Sequence, residues 1–116
     1  MKQLNDSTVE SAIRDAQRPV LLELGAGWCP PCRALEPHLV ALARERIDIE
    51  VATLDVDDNP DTAARLGVRA LPTLVLFVDG RVAAQLVGAQ SRARLDAWID
   101  ASLATAMPPA RTAQAR

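Results

Sequence analysis

The only two cysteines of the chain stand three positions apart in Gly27-Trp28-Cys29-Pro30-Pro31-Cys32, between an apolar run and a segment of helical period. No other feature constrains the fold as tightly, because it sets a strand, a turn and a helix start around one point. Two intervening residues in the first turn of a helix let the sulfurs approach bonding distance while one thiol stays at the exposed helix end. There the free backbone N–H groups and the positive end of the helix dipole stabilise a thiolate, the attacking form. The other thiol, one turn inward, can resolve a mixed disulfide. Cys29 is therefore read as the nucleophile and Cys32 as the resolving thiol.

Two other uses of a cysteine pair are weaker. A structural zinc site needs about four Cys or His ligands, and outside this pair the chain offers only His38. A purely structural bridge between near neighbours closes a tiny loop and constrains little unfolded-state entropy. Redox chemistry is the better reading, and no metal is expected.

At 116 residues the chain is long enough for one domain with a real core, and too short for two. A formal charge of −2, with Lys2 the single lysine and the arginines scattered, gives no case for nucleic acid or an anionic membrane. The start at Met1-Lys2-Gln3-Leu4 has no apolar core of signal-peptide length, and 18 apolar residues never run together. A soluble cytoplasmic protein is expected. In that reducing compartment a lone cysteine pair suits catalysis better than structure.

In chain order, Ser7-Thr8-Val9-Glu10 reads as a capping box before a first helix over 8–17. Val20-Leu21-Leu22-Glu23-Leu24, bounded by Pro19 and Gly25, suits a strand buried on both faces, with Glu23 an anomaly inside it. From Pro30 the period is helical through Leu35, Leu39 and Leu42, with Pro37 expected to kink the helix. Ile47 to Leu54 alternates as a strand. Asn59-Pro60 starts a short helix that Gly67 closes. Thr73–Val78, the turn Asp79-Gly80 and Arg81–Val87 form a hairpin signature. A last helix starts at Ser91 and carries Leu95, Trp98, Ile99 and Leu103 on one stripe. Residues 107–116 lack apolar period and read as a frayed tail after a domain over 1–106. The class is α/β: a parallel βαβ unit, then an antiparallel hairpin, in a mixed sheet between helices.

With these residues in view, the chain resembles the thioredoxin family over most of residues 4–104. The matching positions include Trp28-Cys29-x-Pro31-Cys32, Pro37, Asn59-Pro60, Gly67-Val68-Arg69, Leu71-Pro72-Thr73-Leu74, Phe77, Gly80, Val87-Gly88-Ala89 and Leu95. The resemblance implies a mixed sheet of four main strands, with room for a vestigial one near Lys2–Leu4, flanked by four helices. It implies that Pro72 is cis and faces the cysteines, and that Trp28, Pro31, Leu71, Pro72 and Gly88 form a shallow surface for substrate. An extended peptide could pair its backbone with the residue before that proline.

Three positions depart from the family pattern in ways that bear on the chemistry. Glu23 stands where a buried aspartate is usual; a carboxyl in an apolar strand resists ionisation, so Glu23 is expected to take the Cys32 proton as general base. Thr53 replaces the usual buried lysine, which removes a cationic neighbour. Pro30 replaces a glycine between the cysteines, removes an N–H near the Cys29 sulfur and is expected to tune the potential. In addition, Gly25 sits where a second tryptophan is common.

The function expected is reduction of protein disulfides through a Cys29/Cys32 cycle. The resemblance implies electrons from NADPH through a thioredoxin reductase, no bound cofactor, and disulfide-containing proteins as substrates. A monomer suffices. The alternatives are a more oxidising oxidoreductase or isomerase, and a non-catalytic binding subunit. His38 reads as a packing or surface residue, Trp98 as core and Arg69 as a surface charge. Asp55, Asp57, Asp58 and Asp61 read as a solvated loop, since they lack calcium-loop spacing.

Overall fold

In the computed structural model, which describes residues 1–106, the buried run becomes strand β2 (Val20–Gly25), with all six residues buried. With it run β1 (Lys2–Leu4), β3 (Glu50–Asp55), β4 (Thr73–Val78) and β5 (Arg81–Val87), in the order β1-β3-β2-β4-β5. β3 pairs in parallel with both β1 and β2, while β4 is antiparallel to β2 and β5. Helices α1 (Val9–Arg14), α2 (Pro30–Glu45), α3 (Pro60–Arg65) and α4 (Arg92–Ala106) complete the expected mixed α/β architecture, short first strand included. The tail expected over 107–116 lies outside the described residues.

The strands sort their side chains by the two-residue alternation of the pleat. Val20, Leu22 and Leu24 join Leu4, Val9, Ile13, Val75 and Phe77 in one core. Leu21, Leu74, Leu76 and Val78 point the other way and meet Leu35, Leu39 and Leu42 of α2 and Leu95 and Ile99 of α4. Each fully buried leucine is worth about 1.5–3 kcal/mol, so a central sheet covered on both faces explains the near-continuous apolar strands. Trp98 packs half-buried against the second core. Glu23 and Gly25 necessarily follow Leu21 onto the α2 face.

Several local expectations are corrected. The capping box does not form: Thr8 is the N-cap of α1 without a side-chain cap bond, and Asn5 Oδ1 instead accepts from the N–H groups of Ser7 and Thr8. That helix ends at Arg14 rather than 17. Ile47 lies outside β3 and is 82% exposed. Asn59 does not cap α3 with its side chain. It accepts from the Asp6 N–H at 2.9 Å, and Asp6 in turn accepts from the N–H groups of Asp61 and Thr62 and from the Thr62 hydroxyl. The cap arrives from the β1–α1 loop because Asp6 satisfies donors that the helix itself leaves unpartnered.

At the other end of α3, Gly67 adopts φ +68, with Val68 N–H donating to Ala63 C=O and Gly67 N–H to Ala64 C=O. This is the two-bond left-handed closure that favours glycine. The β4–β5 turn has positive φ at both Asp79 and Gly80, matching the strand twist as the sequence pattern requires. α2 runs continuously through Pro37. Its C-terminal end is tied to α4 by Arg46, which pairs with Asp48, Asp96 and Asp100.

Candidate active site

α2 starts where β2 ends, at the C-terminal edge of the sheet. Cys29 is its N-cap, with extended backbone, and its Sγ accepts from the Cys32 N–H at 3.3 Å. Pro30 and Pro31 fill the first helical positions, whose N–H groups would have no intrahelical partner. Cys29 and Cys32 are both free, buried cysteines. One expectation changes here. Cys29 is not at an exposed helix end but 3% exposed, because Ala26, Val56 and Leu71 pack around the pair.

Cys32 is buried too. Burial first, and then its contact with the Cys29 side chain, push its thiol up to about 12. At neutral pH such a thiol is ionised about once in 10⁵, so it needs a base in order to attack.

Glu23 is the carboxyl whose charge acts on that thiol. It sits on β2 opposite Thr53 of β3, as Gly25 sits opposite Asp55. Glu23 is 8% exposed. Burial, then the negative charges of Glu36 and Asp55, raise it from an ordinary 4.5 to about 7. Among the described residues no arginine or lysine forms an ion pair with it, so Thr53 does leave it without a cationic partner.

Cys32 and Glu23 line a cleft of about 240 Å³ together with Gly25, Glu36 and Asp55. Cys29 lines a different one. That groove, about 520 Å³, collects Trp28, Pro30, Pro31, Val56 and Leu71, and it shares no lining residue with the first. The two sulfurs of one redox pair are thus approached from separate sides.

In the groove Trp28 is 65% exposed, and its indole N–H donates to Asp57 Oδ2 at 2.6 Å. Reading Asp57 as merely solvated missed this partner; an acid in the loop after β3 carries no local mark of where it points. The Leu71–Pro72 bond is cis. Pro72 and Gly88 do not line the groove but brace it, the Gly88 N–H donating to the Pro72 carbonyl at 2.8 Å. The backbone N–H and C=O of Leu71 have no backbone partner among the described residues. Arg69 is exposed on the groove rim, whereas His38 lies half-buried on α2 and lines neither cleft. Among the described residues no three His, Cys, Asp or Glu side chains converge to hold a metal ion, and no helix is long and apolar enough to cross a membrane.

The thioredoxin family model matches residues 1–101. The chain belongs to the thioredoxin family. It is 40% identical over 104 residues to a thioredoxin of Rhodospirillum rubrum, covering 89% of this chain and all of that one. It is 41% identical over 101 residues to a thioredoxin of Pseudomonas aeruginosa, covering 86% and 94%. A Streptomyces clavuligerus thioredoxin is 39% identical over 95 residues, covering 82% and 89%. As a member of the thioredoxin family the chain is a thiol–disulfide oxidoreductase acting on disulfide-containing proteins, and chemistry of this kind needs no bound cofactor.

Proposed function

We propose that the protein works as a reductant of protein disulfides, with Cys29 attacking, Cys32 resolving and Glu23 moving the proton. Cys29 thiolate attacks one sulfur of a substrate disulfide; the other sulfur leaves as a thiolate, and a mixed disulfide to Cys29 remains. The Glu23 carboxylate takes the proton from Cys32 Sγ. Cys32 thiolate then attacks Cys29 Sγ, the Cys29–substrate bond breaks, and the substrate leaves as its second thiolate. Two electrons have passed to the substrate and a Cys29–Cys32 disulfide has formed.

The observation that carries this reading is the mismatch between the two acids at Cys32. A thiol pushed up to about 12 lies beside a carboxyl raised only to about 7, so the carboxyl is ionised in part at neutral pH and is the stronger base available there. Trp28, Pro31 and Leu71 supply the apolar contact for substrate, over a floor braced by Pro72 and Gly88. The free Leu71 backbone edge suits an extended peptide laid beside it. Pro30 tunes the potential, about 30 mV for each 1.4 kcal/mol of bias between dithiol and disulfide.

The oxidised pair regains its dithiol from NADPH through a thioredoxin reductase, and the protein acts as a cytoplasmic monomer. NADPH-coupled insulin reduction with a thioredoxin reductase tests chemistry and recycling together. Wild type turns over, and Cys29→Ser and Cys32→Ser do not. Turnover that survives replacement of both cysteines overturns the reading. Equilibration with glutathione separates a reductant, near about −270 mV, from a more oxidising enzyme well above it.

A further inference from the structure

We propose that Gly25 is a positioning residue: the Glu23 carboxyl occupies the space that a side chain at position 25 would fill, and the absence of a side chain there lets it sit near the Cys32 thiol. The inference rests on Glu23 serving as the base for Cys32.

Gly25 is the last residue of β2, buried and paired with Asp55 of β3. Unlike Gly67, Gly80 and Gly88, it has no positive φ to explain a glycine. Glycine in a central strand costs stability, and where no positive φ requires it a close approach of neighbouring atoms is one reason for it. Here that approach is visible. A Cβ built on Gly25 would collide with Glu23 Oε2, lie 3.1 Å from Glu23 Cδ and lie 3.0 Å from Cys32 Sγ. Carboxyl oxygen and sulfur therefore both border the same point, which fits transfer of the Cys32 proton through one water.

The pleat explains why Glu23 needs this space. Positions 23 and 25 share the α2 face, so a glutamate lying along the strand reaches over position 25. A carboxyl drawn back by one methylene would no longer overlap that Cβ. The residue pair is therefore matched: glutamate at 23 in this placement uses the space that glycine at 25 leaves open, whereas an aspartate at 23 would not reach into it.

The test separates the two chemical steps with an aromatic disulfide that releases thionitrobenzoate. The first release reports attack by Cys29, and the second reports resolution by Cys32. Glu23→Gln slows the second release if Glu23 is the base. Gly25→Ala in the wild-type background is expected to slow the second release by about tenfold, a part of what a general base contributes, and to leave the first within about twofold. In the Glu23→Asp background, Gly25→Ala is expected to change the second release by less than about twofold.

If Glu23→Gln leaves the second release unchanged, the proton-transfer reading itself fails. If Glu23→Gln slows it and Gly25→Ala does not, positioning by Gly25 fails while that reading stands. Equal slowing by Gly25→Ala in both backgrounds assigns its effect to the sulfur or the strand and overturns the inference. So does failure to fold in both backgrounds, because the collision needs glutamate at 23; folding restored by the aspartate supports it.

Discussion

Replacing Glu23 by glutamine should make the protein more stable, and increasingly so as pH rises. The native carboxyl titrates near 7, whereas in the unfolded chain it titrates near its ordinary 4.5. Below about 4.5 both states hold the proton and no stability is lost. Between the two values the native state retains a proton that the unfolded state has released, so stability falls with rising pH. At 1.36 kcal/mol per pH unit, the full displacement removes about 3 kcal/mol by the time pH has passed through 7. Glutamine keeps the shape and stays neutral throughout. Any difference in its hydrogen bonding adds a constant, and Cys32, raised chiefly by burial, keeps its proton in both native proteins over the range measured. Urea unfolding of the two dithiol proteins from about pH 5 to about pH 8.5 reads the effect as a gap in ΔG that widens toward alkaline pH. At the alkaline end the thermal midpoint of the variant should stand about 10 °C or more above wild type. A gap that stays constant over this range would refute the claim that burial and the charges of Glu36 and Asp55 hold Glu23 protonated.

Two further outcomes follow from named contacts. Asp57→Ala frees the Trp28 indole, so kcat/KM for insulin should fall about threefold to tenfold, while both thionitrobenzoate releases stay unchanged; steady-state rates and tryptophan emission check it. Arg46→Met leaves Asp48, Asp96 and Asp100 facing each other without their shared cation, which should cost about 1–3 kcal/mol of unfolding free energy, less at high salt.

The architecture was legible because its signals are local and repeated. The period-two and period-3.6 patterns, the Asp79-Gly80 turn and Gly67 each act on their own neighbours in sequence. Glu23 was legible for the same reason, since one carboxyl in an apolar run needs no partner to be conspicuous. What escaped depends on residues far apart in the chain. The α3 cap comes from Asp6, more than fifty positions away, and a suitable Asn59 stood in the right place. The Trp28–Asp57 bond joins two loops. The burial of Cys29 comes from Val56 and Leu71, neither of which advertises that it folds over the helix start. In the sequence Gly25 marks the end of the apolar strand and, through the family, a missing tryptophan. Its tie to Glu23 emerges once both positions are placed on one face of β2.

The division of labour between the two sulfurs is tested most directly by mass spectrometry of Cys32→Ser after reaction with a protein disulfide. A stable mixed disulfide carried on Cys29 is the predicted product, with no comparable adduct on Cys32 in Cys29→Ser. An adduct that forms equally well on Cys32, or none on Cys29, would contradict the account.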